Sequence, residues 1–258
     1  MSASDYLIEA LINHTLRNDP FAQPSAVWLS LHVGDPGGDG DNEASGGSYA
    51  RVAAPTWSSP DSRAMQNTST VEFGTQSSAL GTVTHVGFWD AETGGNFLWS
   101  VMVQPNITLG VGSAPTFEAG QITISVVGSA SLYLAHAWLN HVFGGAAFTS
   151  PGTDIYVGLH TFPPGLTGTG EVSGNDYARV QEDDWDAPSG GDTANASAIE
   201  FPTPAGNWGN LSYFSVWDSS ASGNVLIVQV LDSDPYPYPA ELGDDIAFSV
   251  GAITVSVK

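Results

Sequence analysis

The chain has 258 residues and no cysteine, which excludes disulfide bonds and thiolate metal sites. It has 27 acidic residues and only 5 basic ones, a net charge of −22, so nucleic acid is a poor partner because phosphate binding needs Lys or Arg. No stretch is long and apolar enough to span a membrane, and no signal peptide is visible at the start.

The acidic excess has two interpretations. It can be an ordinary solvated surface, or it can be an adaptation to high salt, since self-repulsion of this size destabilises a compact chain unless salt screens it. Acidic composition can also indicate disorder. However, a hydrophobic content of 41% and eight Trp favour a folded chain. The composition therefore favours a folded protein from a halophilic source.

The sequence repeats itself once along its length. Residues 43–52 read EASGGSYARV and residues 171–180 read EVSGNDYARV, with seven of ten positions identical. Solenoid units are only about 20–50 residues long, so this spacing indicates a whole domain duplicated in tandem. We predict two domains, 1–128 and 129–258, that lie close together because no long linker joins them.

Each predicted domain opens with a helical pattern. Apolar residues recur on one helix face over 6–14 in the first copy and over 133–141 in the second. Pro20 and Pro24 end the first pattern, and two glycines at 144–145 end the second. The sequence therefore predicts a short N-terminal helix in each domain.

Strand patterns follow the helix in both copies. Apolar and polar residues alternate over 27–33 and 155–159, which is typical of a half-buried strand. Clusters of Gly, Pro, Ser and Asn separate further short patterns, expected at 49–53, 70–73, 82–89, 97–103 and 121–126. The sequence predicts a mainly β fold, with two tandem β-sandwich or jelly-roll-like domains.

The repeated block contains the clearest candidate site. Arg51 and Arg179 are two of only four arginines, and each follows a glutamate by eight residues across a Gly-containing turn. An arginine and a carboxylate at such positions can form a bidentate ion pair. We predict a structural motif in each domain, with a ligand site as the alternative, made of Glu43, Tyr49, Arg51, Glu171, Tyr177 and Arg179.

One loop has the composition of a cation site. Asp39, Asp41 and Glu43 alternate in a Gly-rich segment and could bind Ca²⁺ through carboxylate oxygens. The second copy keeps only the glutamate, so an exposed acidic loop is the simpler interpretation. Apart from this Ca²⁺ candidate, we expect no cofactor.

The six histidines do not have the spacing of a zinc site. His14 and His141 fall on the apolar helix face, which predicts satisfied core or interdomain residues. His32 and His160 alternate with apolar strand residues and are expected to point outward.

Catalytic motifs are absent from the sequence. It has no Gly-x-Ser-x-Gly elbow, P-loop or dinucleotide fingerprint. Carboxylate pairs are too abundant to indicate a glycosidase, which requires two carboxylates at a defined separation. The sequence therefore predicts a protein that is not an enzyme.

Three segments, 6–16, 28–36 and 43–51, carry a resemblance to a known family. They contain Tyr-Leu and Leu-Ile-Asn-His-Thr-Leu, then Trp-Leu-Ser-Leu-His and Gly-Asp-Pro, then Glu, Ser-Gly and Tyr-Ala-Arg. The chain resembles small virion proteins of tailed bacteriophages and related viruses, labelled tail fibre, head fibre or minor structural proteins. In that family the domain usually occurs once, as an attachment module. With the acidic bias, the resemblance implies a haloarchaeal tailed virus.

The resemblance implies a non-enzymatic structural protein on the virion exterior, assembled in the host cytoplasm. Capsid decoration or a head appendage is favoured over a tail position. The implied partners are other virion proteins and further copies of the chain. A trimer is one option, because three duplicated chains present six similar domains. Nucleic acid and membrane insertion are not expected.

The alternative is a tail fibre, a baseplate protein, or a receptor- or carbohydrate-binding adhesion module. Its partner would be a glycan or protein on the host cell surface. Eight Trp and eight Tyr offer rings on which sugars could stack, and Tyr236 and Tyr238 occur only in the second copy. Most of these aromatic residues are expected to lie in the core.

Overall fold

The computed structural model of the protein describes residues 2–232 and 237–257, so Tyr236 lies outside the described residues. We call residues 2–128 the first half and residues 129–257 the second half. Among the residues that the structure describes, no helix combines the length and apolar character that crossing a membrane requires.

Each half begins with a short helix, as predicted. Helix α1 spans Asp5–Leu16, and helix α2 spans Leu132–Leu139 and continues into a π-helical turn, Asn140–Gly144. Gly145 follows this turn with a φ of 73°, a left-handed conformation that favours glycine and ends a helix.

A serine ties the start of each helix to the neighbouring sheet. The hydroxyls of Ser4 and Ser131 accept hydrogen bonds from amides in the first helical turn, each at 3.0 Å. The same hydroxyls donate to the carbonyls of Phe97 and Val225, at 2.5 and 2.6 Å. Each cap therefore also fixes the helix against a strand.

The strands of the first half form one antiparallel sheet and two ribbons. The sheet has the order β1-β7-β6-β2-β3, and the ribbons pair β4 with β9 and β5 with β8. The strands are β1 (Ser2–Ala3), β2 (Trp28–His32), β3 (Val52–Ala53), β4 (Ala64–Gln66), β5 (Val71–Glu72), β6 (Gly81–Trp89), β7 (Phe97–Leu109), β8 (Thr116–Phe117) and β9 (Thr123–Ser125).

The described part of the second half has a similar arrangement, with a four-stranded sheet and three ribbons. Its sheet has the order β11-β10-β15-β16, and its ribbons pair β12 with β19, β13 with β18, and β14 with β17. A 3-10 turn covers Gly165–Thr167. The strands are β10 (Tyr156–His160), β11 (Val180–Gln181), β12 (Asp192–Ala194), β13 (Ile199–Glu200), β14 (Gly209–Leu211), β15 (Tyr213–Trp217), β16 (Val225–Val230), β17 (Tyr238–Ala240), β18 (Ala247–Phe248) and β19 (Thr254–Ser256).

The predicted mainly β fold with two short helices is confirmed. The ribbons supply buried side chains such as Met65, Phe117 and Ile124 to the same core as Leu29 and Leu31 of the main sheet. The layer that covers each main sheet is thus built from short ribbons rather than from a second continuous sheet.

The two halves share one hydrophobic core, which confirms that they lie close together. The ring of Phe143, from the second half, lies 5.9 and 5.6 Å from the ring centroids of Trp57 and Phe88 in the first half. Trp138 Nε1 donates to Thr15 Oγ1 across the joint at 3.0 Å. The halves therefore pack through both apolar and polar contacts.

Helix residues His14 and His141 also lie at the joint between the halves. Both are buried, at 7% and 3% exposure. Each imidazole is within hydrogen-bond distance of a backbone carbonyl of the opposite half, at 2.9 Å for His14 and 3.1 Å for His141. The prediction of satisfied core or interdomain histidines is confirmed.

Candidate functional site

The repeated block lies beside the main sheet of each half. Glu43 forms an isolated bridge with His32, the last residue of β2, and Arg51 immediately precedes β3. Between them, Gly46 and Gly47 have φ values of 102° and 59°, which favour glycine. This turn brings the glutamate and the arginine, eight residues apart, to the same place.

The two side chains form a bidentate ion pair in both halves. Arg51 donates from Nε and Nη2 to the two carboxylate oxygens of Glu43, at 2.9 and 2.7 Å. Arg179 and Glu171 repeat this geometry at 2.8 and 2.7 Å. Each arginine side chain is only 7% exposed. The fork geometry and the burial are those of a strong, charge-assisted pair.

The remaining guanidinium nitrogen closes a hairpin loop. Arg51 Nη1 donates to the carbonyls of Ala91 and Gly94, at 2.9 and 2.7 Å. The guanidinium carbon lies 3.7 Å from the ring centroid of Trp89, a cation–π contact. The second half has the same contacts, from Arg179 to Ser219, Ser222 and the ring of Trp217.

The tyrosine of the block links the ion pair to the sheet. Tyr49 donates its hydroxyl hydrogen to Glu43 Oε1 and accepts a hydrogen bond from the amide of Leu31, both at 3.0 Å. Tyr177 makes the equivalent contacts in the second half. We call this set, the glutamate, tyrosine, arginine and tryptophan of one half, the arginine cluster.

The electrostatics of the arginine cluster favour an ionised carboxylate beside a protonated phenol. Burial opposes ionisation of Glu43, but the hydrogen bonds and charge of Arg51 and the hydrogen bond from Tyr49 outweigh it and lower the Glu43 pKa. Burial raises the pKa of Tyr49. The hydroxyl therefore remains a hydrogen-bond donor at neutral pH.

The prediction that His32 and His160 point outward is wrong, because both are fully buried. The loop after β2 closes over the face that the alternation assigned to solvent. There the Asp41 carbonyl lies 2.7 Å from His32 Nδ1. Ser30 Oγ lies 2.7 Å from His32 Nε2. Burial lowers the pKa of both histidines.

The sequence alone did not indicate a serine that lies beneath the arginine cluster. Its hydroxyl accepts a hydrogen bond from the tryptophan of the cluster, at 2.9 Å from Trp89 and at 2.6 Å from Trp217. In the first half it is Ser30 on β2; in the second it is Ser215 on β15. The sequence does repeat the tryptophan that donates to this serine, as a Trp-Asp pair at 89–90 and 217–218.

The two serines come from opposite strands of the same strand pair. Ser30 is paired with Gly87, whereas Gly158 is paired with Ser215. The serine therefore lies on a different strand in each half, but its hydroxyl accepts the same hydrogen bond from the tryptophan of the cluster. A Cβ added at Gly87 would lie 2.5 Å from Ser30 Oγ, so only one of the two strands can carry the serine in the observed packing.

The structure does not bring the Ca²⁺ candidates together as a ligand set. Asp39 and Asp41 are exposed, while both carboxylate oxygens of Glu43 are hydrogen-bonded within the arginine cluster. Over residues 2–232 and 237–257, no group of three or more His, Cys, Asp or Glu side chains is placed to hold a metal ion. Ca²⁺ binding stays a prediction.

The tryptophans are not placed to stack on sugars. None of the eight is exposed, and six are buried. Tyr238, on β17, packs against the core with its ring 6.2 Å from that of Phe248. By contrast Tyr6 and Tyr133, at equivalent positions of the two helices, are 42% and 40% exposed. These tyrosines are the better placed aromatic residues for an external contact.

Comparison with known proteins gives one family. No curated protein matches the chain. Residues 2–125 and residues 129–256 each match the Gp80 family, described as podophage GP4 fiber I protein gp80. The resemblance to tailed-virus fibre proteins is thereby confirmed at the level of a phage fibre family, with the family unit present twice. The chain belongs to this family of podophage fibre proteins.

Proposed function

We propose that this protein is a non-enzymatic building block on the exterior of a tailed-virus particle, with a capsid or head position favoured over the tail. The observation that carries the proposal is the match of both halves to a phage fibre family. A structural virion component needs a rigid, repeated framework, and each arginine cluster supplies one by joining a loop, a hairpin and a strand.

The charge distribution supports protein partners rather than nucleic acid. All four arginines make hydrogen bonds to acceptors within the chain, so they do not form an external basic patch. The exterior is therefore dominated by carboxylates. Partners of such a surface are basic or uncharged virion proteins, or acidic ones at high salt, where charge is screened.

We also propose that residues 1–128 and 129–258 are the two domains, because the family matches divide between residues 125 and 129. A duplicated unit can contact two different neighbours with one chain. This favours a capsid surface, where local symmetry environments differ, and it allows a trimer with six similar domains. We further propose assembly in the host cytoplasm.

Cryo-electron microscopy of the virion tests this placement. The expected result is density for the protein at many sites on the capsid surface. Density confined to the tail tip or to a connector ring contradicts the capsid position and leaves a tail fibre or baseplate role. Density inside the capsid contradicts an exterior component altogether.

The second candidate is a receptor- or carbohydrate-binding adhesion module. The observation that favours it is a cleft of about 300 Å³ on the second half, lined by Tyr133, His136, Leu166, Trp217 and Asn224 among others. Tyr133 offers an exposed ring, and His136 Nε2 has no hydrogen-bond partner among the residues that the structure describes. In the first half an acidic residue, Glu9, stands where the second half has His136.

A glycan array in molar salt, with host-cell adsorption as a second readout, separates the two candidates. Adhesion predicts glycan binding that Tyr133→Ala abolishes and that Tyr6→Ala, the matched change in the first half, leaves intact. Absence of glycan binding, with adsorption unchanged when the protein is omitted from the virion, contradicts the adhesion role.

A further inference from the structure

Four aromatic rings contact one another in series across the joint between the halves, and the two at the centre are stacked. His14 and His141 lie at its centre with ring centroids 5.4 Å apart and planes inclined by 18°. Phe148 contacts His14 at 5.5 Å, and Phe21 contacts His141 at 5.6 Å. Each histidine therefore lies between the other histidine and a phenylalanine of the opposite half.

The hydrogen bonds of the two histidines are reciprocal. The amide of Phe21 donates to His14 Nδ1 at 3.1 Å, and the amide of Phe148 donates to His141 Nδ1 at 3.0 Å. His14 Nε2 lies 2.9 Å from the Phe148 carbonyl, and His141 Nε2 lies 3.1 Å from the Phe21 carbonyl. Equivalent residues exchange equivalent contacts, which is the pattern of a twofold-symmetric interface.

This geometry dictates the protonation state of both rings. Because each Nδ1 accepts a hydrogen bond from an amide, it carries no proton. Because each Nε2 lies beside a carbonyl oxygen, which can only accept, it must carry one. Both rings are therefore neutral Nε2–H tautomers. A second proton on either Nδ1 removes the acceptor of a backbone amide and places a positive charge against the stacked partner ring.

We propose that the His14–His141 pair is an acid-labile clasp, which holds the two halves together while both rings are neutral and releases them when the rings are protonated. The clasp is built from the duplication, since each half supplies one histidine and one phenylalanine. It does not depend on where the protein sits in the virion.

The groups around the clasp support its opening by acid. Burial lowers the pKa of His141, and the charge of His14 lowers it further, against the hydrogen bond to the Phe21 carbonyl. The other titratable groups on or beside these elements are Asp5, Tyr6, Glu9, Arg17 and Asp19 around α1, and Tyr133 and His136 on α2. Arg17 and Asp19 are exposed, and Glu9 accepts a hydrogen bond from the amide of Gly190.

The sign of the pH dependence follows from linkage. A histidine held neutral binds fewer protons in the closed state than in the open state, so acid favours opening. The clasp is fully effective above the ordinary histidine pKa of about 6.5 and is lost as the pH falls below it. For one histidine held neutral in the closed state, the opening constant rises up to about tenfold per pH unit as the pH falls.

Hydrogen exchange of the full chain tests the clasp at the backbone amides of Phe21 and Phe148, which donate hydrogen bonds to the two histidines. In molar salt, and after correction for intrinsic rates, opening at both amides is expected to rise more than tenfold between pH 7.5 and 5.5. His14→Asn with His141→Asn retains an acceptor near Nδ1 but does not titrate, so this variant should lack the pH step. His85→Gln, a histidine away from the joint, should keep it.

Two results overturn the proposal. One is pH-independent opening of the native chain at both amides; the other is an unchanged pH step in the double variant. If the double variant does not fold, nitrogen NMR of labelled histidine in the native chain decides instead. Neutral Nε2–H rings at pH 7.5 for both His14 and His141 are expected, and an Nδ1–H or charged ring there contradicts the clasp.

Discussion

At the scale of single residues, all four arginines bind acceptors inside the molecule. Arg51 and Arg179 each form the arginine cluster of their own half. Arg17 donates to the carbonyl of Trp185, across the joint between the halves. Arg63 donates to the carbonyls of Gly128 and Ala130, at 3.0 and 3.2 Å, where one half continues into the next. The four arginines of this acidic chain are therefore placed within the clusters and at the joint.

We predict that Arg51→Ala and Arg179→Ala each destabilise the chain by on the order of 3 kcal/mol, because each leaves two carbonyls without a donor and a partly buried carboxylate without its cation, with only the tyrosine hydroxyl still donating to it. Denaturant unfolding in molar salt measures this. Arg51→Lys keeps the charge but lacks the planar fork, so it should recover only part of the loss. Unchanged unfolding combined with failed assembly would instead identify the arginines as contact residues.

The serine beneath each arginine cluster yields a second prediction at this scale. Gly87→Ser should cost about 1–3 kcal/mol, because the new Cβ lies 2.3 Å from His32 Nε2. Ser30→Gly should cost about 1–3 kcal/mol, because the indole of Trp89 loses its acceptor. The double variant reproduces the arrangement of the second half.

A double-mutant cycle measured by thermal unfolding tests this prediction. We expect the double variant to lose less stability than the two single variants lose in total. The matched exchange in the second half, Gly158→Ser with Ser215→Gly, serves as the internal control. Simple additivity in both halves would show that the two strand positions are not equivalent.

At the scale of elements, local patterns predicted both helices and, in the first half, all strands except β1, β4 and β8, because periodicity is a property of neighbouring residues. The same reasoning misjudged β2. Its alternation predicted one solvent-facing side, but Leu29–His32 are all buried. Alternation indicates which residues share a face, whereas the path of the loop outside the strand decides whether that face is covered.

The loop after β11 contains a buried carboxyl group that the equivalent loop of the first half lacks, which makes the stability of the second half depend on pH. Glu182, after β11, is 2% exposed, and the first half has Ala54 at the equivalent position. Its carboxylate accepts hydrogen bonds from Ser197 Oγ at 2.7 Å and from the Asp184 amide at 2.9 Å. Burial nonetheless raises the pKa of Glu182, and the nearby acidic charges add to this effect.

We predict that Glu182→Gln becomes progressively more stable than the native chain as the pH rises from 4 to 7. A carboxyl with a raised folded-state pKa ionises first in the unfolded state. Its contribution is therefore present at low pH and lost as the pH rises through the folded-state pKa. Urea unfolding across this range measures the difference. Asp183→Asn removes an exposed charge that contributes to the raised Glu182 pKa, so it should show only a smaller trend. An equal trend in both variants contradicts the prediction.

At the scale of the whole molecule, charge and duplication act together. A net charge of −22 repels the two halves from each other as well as from other copies. The joint counters this with a shared apolar core and with hydrogen bonds between neutral groups, such as that from Trp138 to Thr15. Screening by salt should therefore support both the fold and the joint.

We predict that the melting temperature falls steeply as salt drops from molar to about 0.1 M, where the Debye length grows from about 3 to about 10 Å. KCl and NaCl should protect equally, because screening is not specific to one ion. Scanning calorimetry measures this. A flat melting temperature contradicts a halophilic, haloarchaeal origin and leaves the acidic surface to solubility or to a basic partner.

Calcium provides the control for this measurement. Rescue at low salt by Ca²⁺ concentrations too small to screen charge would indicate a specific site. Asp39→Asn with Asp41→Asn should abolish such a rescue if the acidic loop is that site. Absence of such a rescue would favour the simpler interpretation of these residues as an exposed acidic loop.

The sequence alone determined the duplication, the mainly β character, the position of the two helices and the members of the repeated Glu-Tyr-Arg block. These are properties of composition, of local period and of comparison between the two copies. It also indicated that the recurring Arg51 and Glu43 lie within reach of each other, because only eight residues and a glycine turn separate them.

Only the tertiary structure decided which groups meet across long stretches of chain. It revealed the burial of His32, the exchange of the serine between Ser30 and Ser215, and the reciprocal stack of His14 and His141. Each depends on how separate strands, loops and halves cover one another. Periodicity cannot supply this, because the covering segment lies outside the helix or strand concerned and its approach is set by packing of the whole core.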